Sequence, residues 1–282
     1  MNQFTAAVVQ LSSTDDPEKN LPVTEAFIRE AKARGADLIA TPEVTNIVSM
    51  SRTRQRAHLQ REEDDRTLHR LRAVADELGV WLLIGSLALK SGDPDGRFAN
   101  RSFLIGPGGE IAARYDKIHM FDARPRQGEH YRESAGYRPG KTAEIARTQL
   151  GPIGLTICYD LRFPELYQRL ARSGAMILTA PSAFTCPTGA AHWEVLIRAR
   201  AIETGGYLIA PAQCGTHEAS EGPARQTWGR SLIVSPWGEV LADGGDEPGV
   251  SIAAIDLDAC REARRKVPNL IGAQVFTGPE VA

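Results

Sequence analysis

The sequence predicts an α/β fold, a four-layer αββα sandwich built from two pseudo-repeated βαβαββ halves. Three observations predict it. Short apolar runs alternate with segments of helical periodicity, the pattern of βαβ units. The runs are apolar at successive positions, so each sheet should be covered on both faces. Finally, three strings recur at offsets of 139, 127 and 129 residues. Ala36-Asp37-Leu38-Ile39-Ala40-Thr41-Pro42 matches Ala175-Met176-Ile177-Leu178-Thr179-Ala180-Pro181, Gly79-Val80-Trp81 matches Gly206-Tyr207-Leu208, and Pro107-Gly108-Gly109-Glu110 matches Pro236-Trp237-Gly238-Glu239. One unit used twice explains this better than chance likeness of strand ends.

The elements follow in order. Residues 6–11 read as a buried strand, and 22–35 as a helix carrying Val23, Phe27, Ile28 and Ala31, stopped by Gly35. Asp37–Glu43 is the next strand. Leu68, Leu71, Val74, Ala75 and Leu78 place a helix over 65–78, capped by Gly79, and Val80–Ile84 is a strand. Arg101–Ile105 and Glu110–Arg114 flank a Gly-Pro-Gly-Gly turn and read as a hairpin. The second half repeats this grammar, with a strand over 153–158 and a helix over 164–173. Segments 44–64 and 122–141 lack periodicity and read as long surface loops, the second class of place where function resides. The run from Arg52 to Arg66 reads as solvated mixed charge, with a lid over the site as the alternative.

Composition excludes several classes. The chain has 282 residues and a net charge of −2, so no basic excess points to nucleic acid. Hydrophobic residues at 42% rule out a disordered chain. Cys158, Cys186, Cys214 and Cys260 form no CxxC pair and read as reduced thiols; the last three read as packing residues. No two histidines have HxxxH or HxH spacing, so no metal is expected. The N-terminus lacks a basic signal-peptide region, and the longest uncharged run, 173–193, is broken by Pro181, Pro187 and glycines. The expectation is a cytoplasmic protein with no membrane span, one domain over 1–282 with a core at about 5–258.

Four residues could carry chemistry. Cys158 ends a strand just before Pro164 can start a helix, a turn where the positive helix end would favour a thiolate and backbone N–H groups would face an oxyanion. Glu43 ends another strand, after Pro42. Lys117 follows the hairpin, and Glu133 sits in the long loop. Each also has an ordinary reading: a small buried hydrophobe, a rim carboxylate, a solvated lysine, a surface charge.

Together these residues carry a resemblance. Thr41-Pro42-Glu43, Tyr115-Asp116-Lys117-Ile118-His119 and Thr156-Ile157-Cys158-Tyr159-Asp160-Leu161-Arg162-Phe163-Pro164-Glu165 resemble the Glu, Lys and Cys motifs of the nitrilase superfamily of carbon–nitrogen hydrolases, in the family's order, with separations of 74 and 41 residues. Pro181-Ser182-Ala183-Phe184, the stretch Thr188–Leu196 and Ala212-Gln213-Cys214-Gly215 resemble its Nit branch.

The resemblance implies an amidase that hydrolyses a small carboxylated amide, deaminated glutathione before the ω-amidase substrates, to an acid and ammonia through a thioester. An N-carbamoyl amine hydrolase, a nitrilase and a catalytically silent scaffold are the alternatives. It further implies Glu43 as proton carrier, Cys158 as nucleophile, Lys117 with the Tyr159 N–H as oxyanion holders, and Glu133 as a fourth member beside Lys117. Arg162, Phe184 and Thr188 would line the substrate pocket, although Arg162 could instead pair with Glu165 or Asp160. No cofactor is implied. A homodimer or higher homo-oligomer is implied, with the tail 259–282 at a subunit interface. A Cys–His pair using His192 or His217 is the rival chemistry, but nothing in the sequence places either histidine beside Cys158.

Overall fold

The computed structural model describes residues 2–126, 128–272, 274, 277 and 278. Its first half runs β1 (Gln3–Gln10), α1 (Pro17–Ala33), β2 (Leu38–Ala40), α2 (Arg52–His58), α3 (Arg66–Leu78), β3 (Trp81–Lys90), β4 (Phe98–Ile105) and β5 (Ile111–Asp116). A small hairpin, β6 (Asp122–Ala123) with β7 (Tyr131–Arg132), follows. The second half runs β8 (Glu144–Thr148), β9 (Gly151–Leu155), α4 (Pro164–Arg172), β10 (Ile177–Thr179), α5 (Cys186–Thr204) and β11 (Tyr207–Ala210). The hairpin β12 (Cys214–Thr216) and β13 (Gln226–Trp228), then β14 (Leu232–Val234), β15 (Val240–Asp243), β16 (Gly249–Asp256) and α6 (Leu257–Lys266) complete it.

Two six-stranded sheets have the orders β16-β1-β2-β3-β4-β5 and β8-β9-β10-β11-β14-β15. Within them β1 to β5 and β9, β10, β11, β14 and β15 are the same unit: three parallel strands, then two antiparallel ones. The repeat read from the sequence is thus a repeat of topology. Each unit gains one antiparallel edge strand beside its first strand, β16 on β1 and β8 on β9. Equivalent helices end alike: α3 stops at Gly79 (φ 60°) and α5 at Gly205 (φ 54°), left-handed positions where a side chain would be strained.

Successive residues of β1 feed different layers. Ala6 and Val8 join the core between the sheets, whereas Ala7 and Val9 join the core under α1 and α3, with Ile39, Leu82 and Phe103. Both faces of the sheet are therefore dry, as its unalternating strands require. Each fully buried Val, Leu, Ile or Phe side chain among them contributes about 1.5–3 kcal/mol. On the second sheet, Leu166 and Leu170 of α4 and Trp193 and Ile197 of α5 cover the other face. Among the described residues, no helix is long and apolar enough to cross a membrane, and no group of three or more His, Cys, Asp or Glu side chains is arranged to hold a metal ion.

The structure corrects three expectations. α1 begins at Pro17, capped by the Asp16 carboxylate on the Glu18 N–H, and runs through Pro22, which the sequence reading took for a boundary. Its buried stripe is Asn20, Thr24, Ile28 and Ala31, so Val23 points to solvent. Segment 44–64 is not a surface loop: Val44, Ile47 and Val48 are buried with Leu59, Phe98 and Tyr137 as a third core, and Ser51 caps the short helix α2 through the Arg54 N–H. The segment from residue 259 is not simply a tail: Cys260 and Ala263 of α6 are buried against the second sheet, and Arg264 donates to the Ala175 and Thr204 carbonyls. Residues 273, 275, 276 and 279–282, where the interface expectation also fell, lie outside the described residues.

Candidate active site

The site lies where the two sheets present the C-terminal ends of β2 and β9, the usual place for ligands in parallel α/β sheets. Glu43 is fixed there by a bulge in β3 at Gly85 and Ser86. A Cβ on Gly85 would lie 1.9 Å from the Thr41 carbonyl oxygen and 2.5 Å from Pro181 Cβ, so only glycine lets β3 approach the turn. Ser86 then holds the turn: its N–H donates to the Pro42 carbonyl, its hydroxyl accepts from the Val44 N–H at 2.8 Å, and its carbonyl accepts from the Thr45 N–H. Val44 sits at φ 49°, a strained value for a β-branched residue.

Cys158 is positioned by a second strained turn. It has φ 51°, and its N–H donates to the Pro181 carbonyl at 2.9 Å. A 3₁₀ turn, Cys158–Arg162, separates it from α4. Asp160, fully buried in this turn, accepts from the Ile157 N–H, the Tyr115 hydroxyl (2.7 Å) and the His119 N–H, and pairs with His119 Nδ1 at 2.7 Å. Tyr115 and His119 flank Lys117 in sequence, so one carboxylate ties the segment around Lys117 to the cysteine turn.

The four residues meet in one cluster. Lys117, 2% exposed, donates from Nζ to Glu43 Oε1 at 2.8 Å and to both Glu133 oxygens at 2.9 and 3.0 Å. Glu43 also accepts from Asn100 Nδ2 (2.9 Å) and the Ala183 N–H (2.9 Å). Glu133 accepts from the Phe121 N–H at 2.6 Å. Burial works to raise the Glu43 carboxyl pKa, but the Lys117 charge and hydrogen bonds from Cys158 and Lys117 outweigh it, holding the carboxyl below its ordinary range. Burial likewise works to lower the Lys117 ammonium; the carboxylates of Glu133 and Glu43 instead hold it well above its ordinary value.

Cys158 lacks the help from a helix end that its turn suggested. Burial and then the Glu43 carboxylate push the thiol far above its ordinary value, and Lys117 only partly opposes them. The α4 helix starts six residues later, too far for its positive end to reverse this. Burial and Glu43 both favour the neutral thiol at Cys158. The histidine rival finds no support: His192 accepts from Arg162, and His217 pairs with the Ser13 carbonyl and the Thr227 hydroxyl.

All eight residues singled out in the sequence line one cavity of about 160 Å³. Arg162 pairs with neither Glu165 nor Asp160; it lies over the Tyr159 and Phe184 rings and donates to His192 Nδ1 at 3.2 Å. Thr188 lines the cavity and bonds the Thr185 hydroxyl at 2.9 Å. The sequence reading missed Asn100, Tyr137, Arg52 and Arg225, which line the same cavity. Asn100 had a signal, a polar amide inside the apolar strand β4; Arg225 had none.

Residues 5–265 match the carbon-nitrogen hydrolase family. The chain is 38% identical over 272 residues to the deaminated glutathione amidase of a Synechocystis species, covering 96% of this chain and 98% of that protein. It is 40% identical over 266 residues to the deaminated glutathione amidase of Homo sapiens, covering 93% and 80%. The crystal structure of Saccharomyces cerevisiae Nit3, a member of branch 10 of the nitrilase superfamily, superposes with a TM-score of 0.83 at 27% identity, covering 97% of this chain and 96% of that one. The chain belongs to the carbon-nitrogen hydrolase family.

Proposed function

We propose that the protein is a cysteine-dependent amidase whose substrate is deaminated glutathione, acting from Cys158, Glu43, Lys117 and Glu133. The observation that carries this reading is the convergence of Cys158 with Glu43, Lys117 and Glu133 on one cavity, where Lys117 Nζ holds the Glu43 carboxylate at 2.8 Å. Glu43 takes the thiol proton as Sγ attacks the amide carbon. Proton transfer and attack are concerted in need, because a free thiolate is disfavoured in this buried setting. The tetrahedral oxyanion is held by Lys117 Nζ and the Tyr159 N–H, each such donor contributing about 3–4 kcal/mol to the transition state. Glu43 returns the proton to the departing nitrogen, which leaves as ammonia from a primary amide or as an amine from a secondary one. The C–N bond breaks and a thioester remains on Cys158. Water, losing a proton to Glu43, attacks the thioester; the acid leaves and the thiol is restored.

Glu133 shares the Lys117 ammonium and fixes its direction. Arg162, free of any carboxylate partner within the described residues, faces a substrate carboxylate, with Phe184, Thr188 and Tyr159 forming the walls. The names of the relatives supply the choice of substrate. In this reading the chain is one cytoplasmic domain that works without a cofactor as a homodimer or larger homo-oligomer. The test is release of amine from deaminated glutathione beside release of ammonia from α-ketoglutaramate. A kcat/KM about tenfold or more in favour of the first supports the reading. The reverse preference makes the protein an ω-amidase, and turnover of neither contradicts the assignment.

A further inference from the structure

The cavity is far more cationic than the chain that forms it. Five lysine and arginine side chains line it against two carboxylates, in a chain of net charge −2. The two carboxylates, Glu43 and Glu133, are both engaged by Lys117. Arg52 and Arg225 have no carboxylate within ion-pair distance among the described residues, and neither has a role in the chemistry above.

Both are nevertheless held in place. The Arg52 guanidinium lies 5.2 Å from the centre of the Tyr137 ring and 5.9 Å from that of Phe98, and Nη1 donates to Gln55 Oε1 at 2.9 Å. Gln55 is itself fixed, donating to the Ser49 carbonyl and the Tyr137 hydroxyl. The backbone also makes room. A Cβ on Gly136 would fall 1.7 Å from Arg52 Cζ, inside the guanidinium. Since the glycine has φ −125°, which any residue adopts, its lack of a side chain serves the arginine and not the turn. Arg225 donates from Nη2 to the Ala183 carbonyl at 2.6 Å, next to the N–H that holds Glu43, while its buried Nε has no partner. Both arginines are half-buried, and a buried guanidinium N–H without a partner, such as Arg225 Nε, calls for a ligand.

We infer that Arg52 and Arg225 are specificity-determining residues that receive a carboxylate of the substrate, in addition to the group facing Arg162. Planar guanidinium forks with free N–H groups suit a carboxylate and discriminate against a neutral amide at the same place. The substrate class is then an amide bearing a carboxylate at the end received by Arg52 and Arg225. This rests on the amidase reading of the same cavity.

The test compares glutaramate with its neutral counterpart pentanediamide, which differ only in charge at the far end. The readout is the ratio of their kcat/KM values in wild-type protein, Arg52→Met, Arg225→Met, Arg52→Lys and Gly136→Ala. The ratio is expected to fall about ten- to a hundredfold in Arg52→Met and Arg225→Met, through KM for glutaramate, and to recover in part in Arg52→Lys. Gly136→Ala, which keeps both arginines but displaces one guanidinium, is expected to lower it too. Equal losses on both amides, or an unchanged ratio, overturn the inference. The same ratio is measured as binding to Cys158→Ala protein, which needs no turnover. Wild-type protein that turns over deaminated glutathione but neither test amide keeps the amidase reading, and the binding ratio then decides the subsite: loss in Arg52→Met supports it, and no wild-type preference for glutaramate overturns it.

Discussion

Lys117 and Glu43 are joined Nζ to Oε1 at 2.8 Å, with side chains only 2% and 5% exposed. Two charges taken out of water cost several kcal/mol each, and attraction alone seldom recovers it. Here Glu133 supplies a second carboxylate and Asn100 and the Ala183 N–H supply further hydrogen bonds. The cluster is an expensive arrangement that keeps one carboxylate ionised beside a thiol.

Removing the lysine charge should show that cost. Lys117→Met leaves Glu43 and Glu133 as like charges in a dry site, and stability at neutral pH should fall by about 3–5 kcal/mol. In wild-type protein the lowered Glu43 pKa contributes stability above the ordinary carboxylate range, lost as pH falls through it. In the variant the unpaired carboxyls favour protonation, so it loses stability as pH rises. The gap in melting temperature should be wider at high pH than in mild acid; a constant gap argues against the pairing.

The thiol makes the opposite prediction at alkaline pH. Its raised pKa means that its contribution is complete below the ordinary value near 9 and is lost as pH climbs above that value. Wild-type stability should fall faster than that of Cys158→Ala by up to about 1.4 kcal/mol per pH unit there. Urea melts of both proteins at several alkaline pH values measure the difference. Parallel curves mean the folded thiol ionises normally.

Asp160 is a positioning residue, joining the segment around Lys117, just past β5, to the turn that carries Cys158. Asp160→Asn turns an acceptor into a donor among three donors, at a cost of about 1–3 kcal/mol. Turnover should fall mainly in kcat, since the substrate walls stay in place. A loss confined to KM would contradict the assignment.

Glu133→Gln should retain turnover at a reduced rate, because it removes one of two carboxylates on Lys117 and leaves the Lys117–Glu43 pair. Lys117→Arg keeps the charge but cannot reproduce the point contact with both carboxylates, so turnover should drop by about a hundredfold or more. Unchanged turnover in Lys117→Arg would make the lysine merely electrostatic.

Much of this was legible in the sequence because the decisive signals are local. The apolar runs around Val8, Ile39 and Leu178 give the strands, and the matched strings give the repeat. Glu43, Lys117 and Cys158 each stand at a strand end or hairpin exit. What stayed hidden is set by tertiary contacts. The helix carrying Arg52 depends on a Ser51 cap in a segment without apolar periodicity, and its guanidinium depends on Gly136, 84 positions away. Arg225 shows its place only through the Ala183 carbonyl. The strand-to-helix turn suggests a helix dipole at Cys158, but burial and Glu43, which only the folded structure reveals, push the thiol up.

The central claim is that the Cys158 sulfur makes the bond to the substrate. Its most direct test is the release of amine or ammonia by Cys158→Ala protein under saturating substrate. The account predicts a loss of about ten-thousandfold or more, with the melting temperature close to that of the wild type. Turnover within about tenfold of wild type would contradict it.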